Sequence, residues 1–303
     1  MSKIGLVLGA GGLTGDAFHR GVLRALRERG YDARNADLVV GTSAGSMVGA
    51  FLRKPEAVSP RTLSADSATV HGRRLGSAPE LSPILAALRR PWKARLSVLA
   101  TSLLPTGRHS TEFIAAGARL HHGKEWPKQA LWIVAVRRRD GRRVVFGRQG
   151  APETDVAHAV AASCAIPGFF HPVEIDGETY VDGGAHSPTN ADLLRGQDFD
   201  VVLVSSPMSI DPGALRPTLD IGLRLFWHRR LKREVRALRG RCTHVVAFEP
   251  GGELLQVMGI NPLHGGRVDE IEAASYENAL AILDAHADAL ALLTGRETAR
   301  RSA

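Results

Sequence analysis

Residues Asp37 to Gly45 read Asp-Leu-Val-Val-Gly-Thr-Ser-Ala-Gly, a short apolar strand running into Gly-x-Ser-x-Gly and then into a helix-like run from Ser46 to Leu52. No other stretch restricts the fold as much. A strand joined so directly to a helix needs a sharp backbone turn, which glycines at 41 and 45 permit. Ser43 is then pushed to the helix N-terminus, where the dipole and the backbone N–H groups favour developing negative charge. The same grammar occurs once earlier. Ile4–Leu8 reads as a buried strand, residues 9–15 as a glycine-rich turn, and Ala17 to Arg29 as a helix. Phe18, Val22, Leu23 and Leu26 mark one face of that helix, and Gly30 is its stop. Two successive strand–turn–helix units predict parallel strands in a sheet covered by helices on both faces.

The rest of the chain divides by composition. From Arg53 to about Ser110 it is rich in Pro, Ser and Arg, and reads as an insertion or lid over the core. Within it, Ile84, Leu85, Leu88, Trp92, Leu96 and Leu99 recur at helix-like spacing, with Pro91 a kink or break. Sheet structure resumes at 131–136, with a return strand at 144–146 after a turn at Asp140-Gly141. Residues 154–165 read as a helix and 173–181 as a hairpin turning at Asp176-Gly177. Strands are expected at 200–204 and 244–248, a basic amphipathic helix at 218–239, a last helix at 268–293 and a frayed tail after Thr294. At 303 residues the chain is long for an average domain but fits one α/β domain with insertions, so residues 1–303 read as one domain.

Acyl transfer through a serine needs a base for its proton and donors for the oxyanion. The turn after the first strand can supply the donors, because Gly11 and Gly12 permit conformations that aim successive N–H groups into one cavity. If the strands at 4–8 and 37–40 are parallel, both turns emerge at the same sheet edge. For the base, 12 histidines leave a triad open on composition. His186, four residues after Asp182, reads better as a loop histidine, and His19 and His158 as packing or surface residues. Asp182, in Tyr180-Val181-Asp182-Gly183-Gly184, follows a strand and precedes two glycines. A carboxylate of ordinary pKa near ~3.9 is a weak base at neutral pH; partial desolvation would strengthen it.

These residues together resemble the patatin-like phospholipases. Gly11-Gly12-Leu13-Thr14-Gly15, Gly41-Thr42-Ser43-Ala44-Gly45 and Asp182-Gly183-Gly184 match in order and context, as does the run Ala162-Ser163-Cys164-Ala165-Ile166-Pro167-Gly168-Phe169-Phe170 before the aspartate. The resemblance covers 4–52 and 130–206 and is weak elsewhere. It implies a three-layer α/β/α fold with a mostly parallel central sheet. It also implies a Ser-Asp dyad, with Ser43 as nucleophile and Asp182 as general base, and an oxyanion hole of Gly11, Gly12 and Leu13. The implied reaction is hydrolysis of lipid or other carboxylic esters through an acyl-enzyme, with no metal or organic cofactor. Two positions depart from the pattern: Thr14 stands where the family commonly carries Arg or Lys, and Ala10 replaces a glycine. The stretch from Ala185 to Asn190 follows the family's usual continuation only loosely.

Net charge of +8 suits an anionic partner. Basic stretches at 89–95 and 224–241, interleaved with Trp92 and Trp227, read as solvated helix faces with room for peripheral association with an anionic membrane. No motif or stacking platform supports nucleic-acid binding. With two cysteines, Cys164 and Cys242, there is no disulfide framework or metal-type spacing, and Cys164 reads as a small core residue. The absence of a signal-like segment and of a spanning apolar run points to a cytoplasmic protein, with the membrane surface as an option. Nothing in the sequence specifies an oligomeric state. Two rivals accompany the hydrolase reading. One is a catalytically inactive relative that binds lipid. The other is a nucleotide-binding protein, since Gly9-x-Gly11-Gly12-x-x-Gly15 loosely resembles a dinucleotide fingerprint, although no acid follows the strand at 38–40.

Overall fold

The computed structural model describes residues 2–54, 106–122, 125–214, 219–238 and 244–301. Eight strands form a single sheet: β1 (Ile4–Leu8), β2 (Leu38–Thr42), β3 (Ala130–Arg137), β4 (Arg143–Phe146), β5 (Val173–Ile175), β6 (Glu178–Asp182), β7 (Val201–Ser205) and β8 (His244–Phe248). The order is β5-β6-β3-β2-β1-β7-β8, with β4 also paired to β3. β3, β2, β1, β7 and β8 run parallel, β4 and β6 each pair antiparallel with β3, and β5 pairs antiparallel with β6. The helices are α1 (Gly12–Glu28), α2 (Ala44–Leu52), α3 (Glu112–His122), α4 (Val156–Ser163), α5 (Ile221–Leu238), α6 (Gly252–Met258), α7 (Val268–Asp284) and α8 (Ala287–Arg301).

The central strands are buried along their whole length, as expected of parallel strands covered on both sides. Alternation divides their side chains between two cores. Ile4, Leu6 and Leu8 pack on one face with Phe18, Met47, Val160 and Leu283, beneath α1, α2, α4 and α7. Val7, Val40, Val134, Val202 and Val204 pack on the other with Leu193, Leu194, Leu231 and Leu238, so α5 covers that face. This is the expected three-layer α/β/α arrangement.

The structure revises several boundaries. α1 begins at Gly12, inside the stretch read as a turn, because the first helical hydrogen bond already closes there: Gly15 N–H donates to Gly11 O at 2.8 Å, with Gly12 itself at φ 60. The single helix expected at 268–293 is two, broken after Asp284, where His286 N–H donates to Leu283 O in a tighter turn and His286 Nδ1 bonds Ile282 O. Beyond Thr294 the backbone stays helical to Arg301, where a frayed tail was expected. The sequence pattern did not show α3 or α6. The helical pattern at 81–104, and the expected insertion at 53–110 apart from 53–54 and 106–110, lie outside the described residues, as does Cys242.

Candidate active site

Strand register sets the first two pieces side by side. Thr42, at the end of β2, pairs with Val134 of β3, and the next β3 residue, Ala135, pairs with Asp182 at the end of β6. The turn beyond Thr42 is as tight as the sequence required. A side chain at Gly45 would meet Leu8 O at 2.0 Å, and one at Gly41 would meet Ser46 Cα at 2.5 Å. Ser43 adopts φ 53, ψ −122, a conformation that is costly for a residue with a side chain and that persists only where surroundings enforce it. Those surroundings are specific. Ser43 N–H donates to Ser163 Oγ at 2.9 Å, whose own hydroxyl donates to Val134 O at 2.6 Å. Ser43 O accepts from the Ser46 hydroxyl at 2.6 Å and from Ser46 N–H at 2.8 Å.

Asp182 is 5% exposed. One carboxylate oxygen accepts from Gly184 N–H at 2.7 Å, and the carboxylate also interacts with the Ser43 hydroxyl. Burial pushes its pKa up to about 6, against the opposing pull of those two donors. The carboxyl is therefore ionised at neutral pH and a stronger base than an exposed aspartate. Cys164 completes this corner: its Sγ lies 3.9 Å from Ser46 Oγ and interacts with the Ser43 hydroxyl. Burial, reinforced by the Asp182 charge, pushes the thiol up to about 12, so it stays protonated and does not compete as a nucleophile.

The glycine-rich turn lies against the elbow. Gly45 N–H donates to Gly9 O at 3.2 Å, and Ala10 packs against Gly184. Gly11 N–H, Gly12 N–H and Leu13 N–H have no acceptor among the described residues, and Gly12 and Leu13 are partly exposed. Thr14 N–H, by contrast, is taken by Pro262 O at 3.1 Å. The Thr14 side chain is buried and its hydroxyl donates to Gly11 O at 3.2 Å. At the position where this chain departs from the resemblance, a short hydroxyl therefore closes the turn.

The histidines play other parts. His19 is fully buried between Gly9 O and Ser205 Oγ, each at 2.7 Å. A carbonyl can only accept, so Nε2 carries the proton and Nδ1 accepts from the Ser205 hydroxyl. Burial pushes its pKa down to about 4, leaving a neutral ring that ties the start of the glycine-rich turn to β7. His158 bonds its own helix cap, Asp155, at 2.9 Å. His186 lies near Asp192, where burial pushes the carboxyl pKa up but the Arg143 bond, with the nearby Arg143 and His186 charges, brings it below the ordinary value. Among the described residues no cluster of His, Cys, Asp and Glu could hold a metal.

Ser163, Asn190 and Glu234 also shape the site, and sequence reasoning did not single them out. Asn190 Nδ2 donates to Ser187 O at 2.6 Å and to Thr42 Oγ1 at 3.1 Å. Ser163 meets Ser43 across 120 residues of chain, and Asn190 meets Thr42 across 148. Neither pairing leaves a local or periodic trace in the sequence.

Comparison with known proteins adds an independent view. The family model described as Patatin-like phospholipase matches residues 6–195. An uncharacterized NTE family protein of Mycobacterium tuberculosis is 28% identical over 239 residues, covering 78% of this chain and 57% of that protein. A patatin-like phospholipase domain-containing protein of Caenorhabditis elegans is 51% identical over 65 residues, 21% of this chain and 4% of its own length. The chain thus spans little more than half of the mycobacterial relative. Among solved structures, the type III effector protein ExoU is similar at 18% identity and a TM-score of 0.45, over 94% of this chain and 53% of that one.

Proposed function

The chain belongs to the patatin-like phospholipase family, and from that premise we propose that it is a serine acyl hydrolase acting on lipid or other carboxylic esters through a Ser43–Asp182 dyad. One observation carries the reading: the strained Ser43 hydroxyl interacts with a buried carboxylate whose pKa is about 6, beside a helix N-terminus whose first N–H groups have no acceptor among the described residues. In this reading Ser43 Oγ attacks the acyl carbonyl carbon and its proton passes to Asp182. Gly11 N–H and Gly12 N–H, with Leu13 N–H beside them, stabilise the tetrahedral oxyanion. Collapse breaks the ester C–O bond, the alcohol leaves with the proton from Asp182, and an acyl-Ser43 remains. Water, deprotonated by Asp182, then attacks the acyl carbon, the bond from that carbon to Ser43 Oγ breaks as Oγ takes the proton back from Asp182, and the acid leaves. No cofactor takes part. The reading treats residues 1–303 as one domain with an insertion at 53–110.

The test is labelling by a fluorophosphonate probe, with hydrolysis of a panel of lipid and short-chain esters. Ser43→Ala is expected to lose labelling and at least ~10³-fold in turnover. Full turnover in that variant would overturn the dyad. Vesicle binding by a wild-type chain that is neither labelled nor active would favour the inactive lipid-binding relative.

Peripheral membrane association is favoured by α5. Leu219, just before it, and Leu223 and Phe226 within it are 93%, 52% and 53% exposed. Arg229, Lys232, Arg233 and Arg236 continue the same exposed stripe. The apolar end is anchored near the glycine-rich turn, since Arg224 Nη1 donates to Pro207 O at 2.9 Å and Pro207 packs on Gly11. An apolar tip with a basic stem suits an anionic bilayer surface. No helix among the described residues is long and apolar enough to cross a membrane. Co-sedimentation should show preference for anionic over zwitterionic vesicles, reduced at least about tenfold by Leu223→Glu with Phe226→Glu. Unchanged sedimentation in that variant would refute this face.

A further inference from the structure

The segment from Ser187 to Asn190, where this chain departs from the familiar pattern, touches all three parts of the site. Pro188 O accepts from Ala10 N–H at 2.8 Å, at the head of the glycine-rich turn. Asn190 Nδ2 reaches Thr42 Oγ1 at 3.1 Å, next to Ser43, and lies 3.4 Å from Gly183 O, next to Asp182. Asn190 itself is left-handed (φ 53), a conformation asparagine tolerates better than most residues.

This segment is held from outside by one side chain. Glu234 of α5 is 6% exposed and lies beyond the residues matched by the family model. Its Oε1 accepts from the Ser187 hydroxyl at 2.6 Å, and its Oε2 from the Thr189 hydroxyl at 2.6 Å and from Ala191 N–H at 2.9 Å. Arg230 Nε lies 3.5 Å from Oε1. A buried carboxylate is tolerated only when its lone pairs are satisfied, and here three directed donors and a neighbouring guanidinium do so. The donors come from alternate residues of one segment, Ser187, Thr189 and Ala191, so the carboxylate fixes that segment in a single conformation. The Ser187 hydroxyl also accepts from Asn190 N–H at 3.3 Å, which couples the clamp to the asparagine.

We propose that Glu234 is a positioning residue for the acyl-transfer site, acting through the 187–190 segment to hold Asp182, Ser43 and the glycine-rich turn in register. The proposal rests on the hydrolase reading above. It accounts for the departure in sequence: Ser187 and Thr189 are the hydroxyl donors that a carboxylate on α5 requires. Loosening the clamp would let Asp182 shift from Ser43 and admit water to its carboxyl, without altering where an acyl chain is bound.

Wild-type labelling by the fluorophosphonate probe comes first, because its absence defeats the hydrolase reading and leaves the positioning role a separate question of loop geometry. Given wild-type labelling, Glu234→Gln should be labelled at least tenfold more slowly, with kcat reduced in parallel and KM within about twofold. The acid midpoint of its labelling rate should also move toward the ordinary carboxylate range, a change that a mere loss of folded protein would not produce. Thr189→Val, which removes one bond to the same carboxylate, should show a smaller loss. Adding it to Glu234→Gln should cost little more, the mark of residues in one network. If Glu234→Gln fails to fold, Thr189→Val and Ser187→Ala decide the matter by the same readouts. Wild-type labelling rates and midpoint in the folded variants would overturn the proposal.

Discussion

The Gly41–Gly45 elbow and the segment after Asp182 meet at one site but are held by different physics. At the elbow the constraint is steric. Leu8 O occupies the space a side chain at Gly45 would need, and helix α2 starts at once, so the backbone has one way to turn. Its side-chain support comes from two serines, Ser46 three residues on and Ser163 at the end of α4 on the same face of the sheet. The 187–191 segment is held by buried hydrogen bonds to a charge, Glu234, 43 to 47 residues away in the chain. Steric constraint tolerates no added atom but needs no particular partner. A buried polar clamp needs every member, and loses function in steps as members are removed.

The comparison is broken most severely by Gly45→Ala. The added methyl must displace the β1 backbone, and the expected cost is about 3 kcal/mol or more, read as a lower midpoint in urea unfolding or as loss of soluble protein. Tolerance of that change would mean the elbow is not sterically fixed. Asp182→Asn separates function from stability on the other side. It should lower kcat by about 10²–10⁴-fold and stabilise the fold at pH 7.5 by about 1–2 kcal/mol. The sign follows from the raised pKa: Asp182 titrates near 3.8 unfolded and about 6 folded, so the folded state holds the proton more tightly. Its contribution to stability is present below the unfolded value and lost as pH rises through about 6. The variant and the wild type should therefore unfold together at pH 3.5, diverge as the pH rises from about 3.8 to about 6, and keep a constant difference above that. A wild-type rate that falls about tenfold per pH unit below about 6 would place the base at Asp182, and a profile flat to pH 4.5 would remove it.

What could be read from the sequence follows the same division. The two strand–turn–helix units, Ser43 and the glycine-rich turn are written within a few residues of one another, in the period of apolar residues and in glycines that only a tight turn requires. The start of α1 was misplaced because glycines that serve a turn equally serve a helix N-terminus carrying free N–H groups. The break at Ala285 and His286 was invisible because alanine and leucine continue the helical period through it.

By itself, then, the sequence determined a sheet of parallel strands, the position of the elbow serine and the candidate aspartate, since backbone sterics and side-chain period act over short stretches of chain. The tertiary structure alone decided how deeply Asp182 is buried, that Thr14 closes the turn with a hydroxyl, and that Glu234 satisfies Ser187 and Thr189. Desolvation and buried hydrogen bonds depend on which distant residues exclude water and which present a partner, and that is fixed only when β6 pairs with β3 and α5 packs over the sheet.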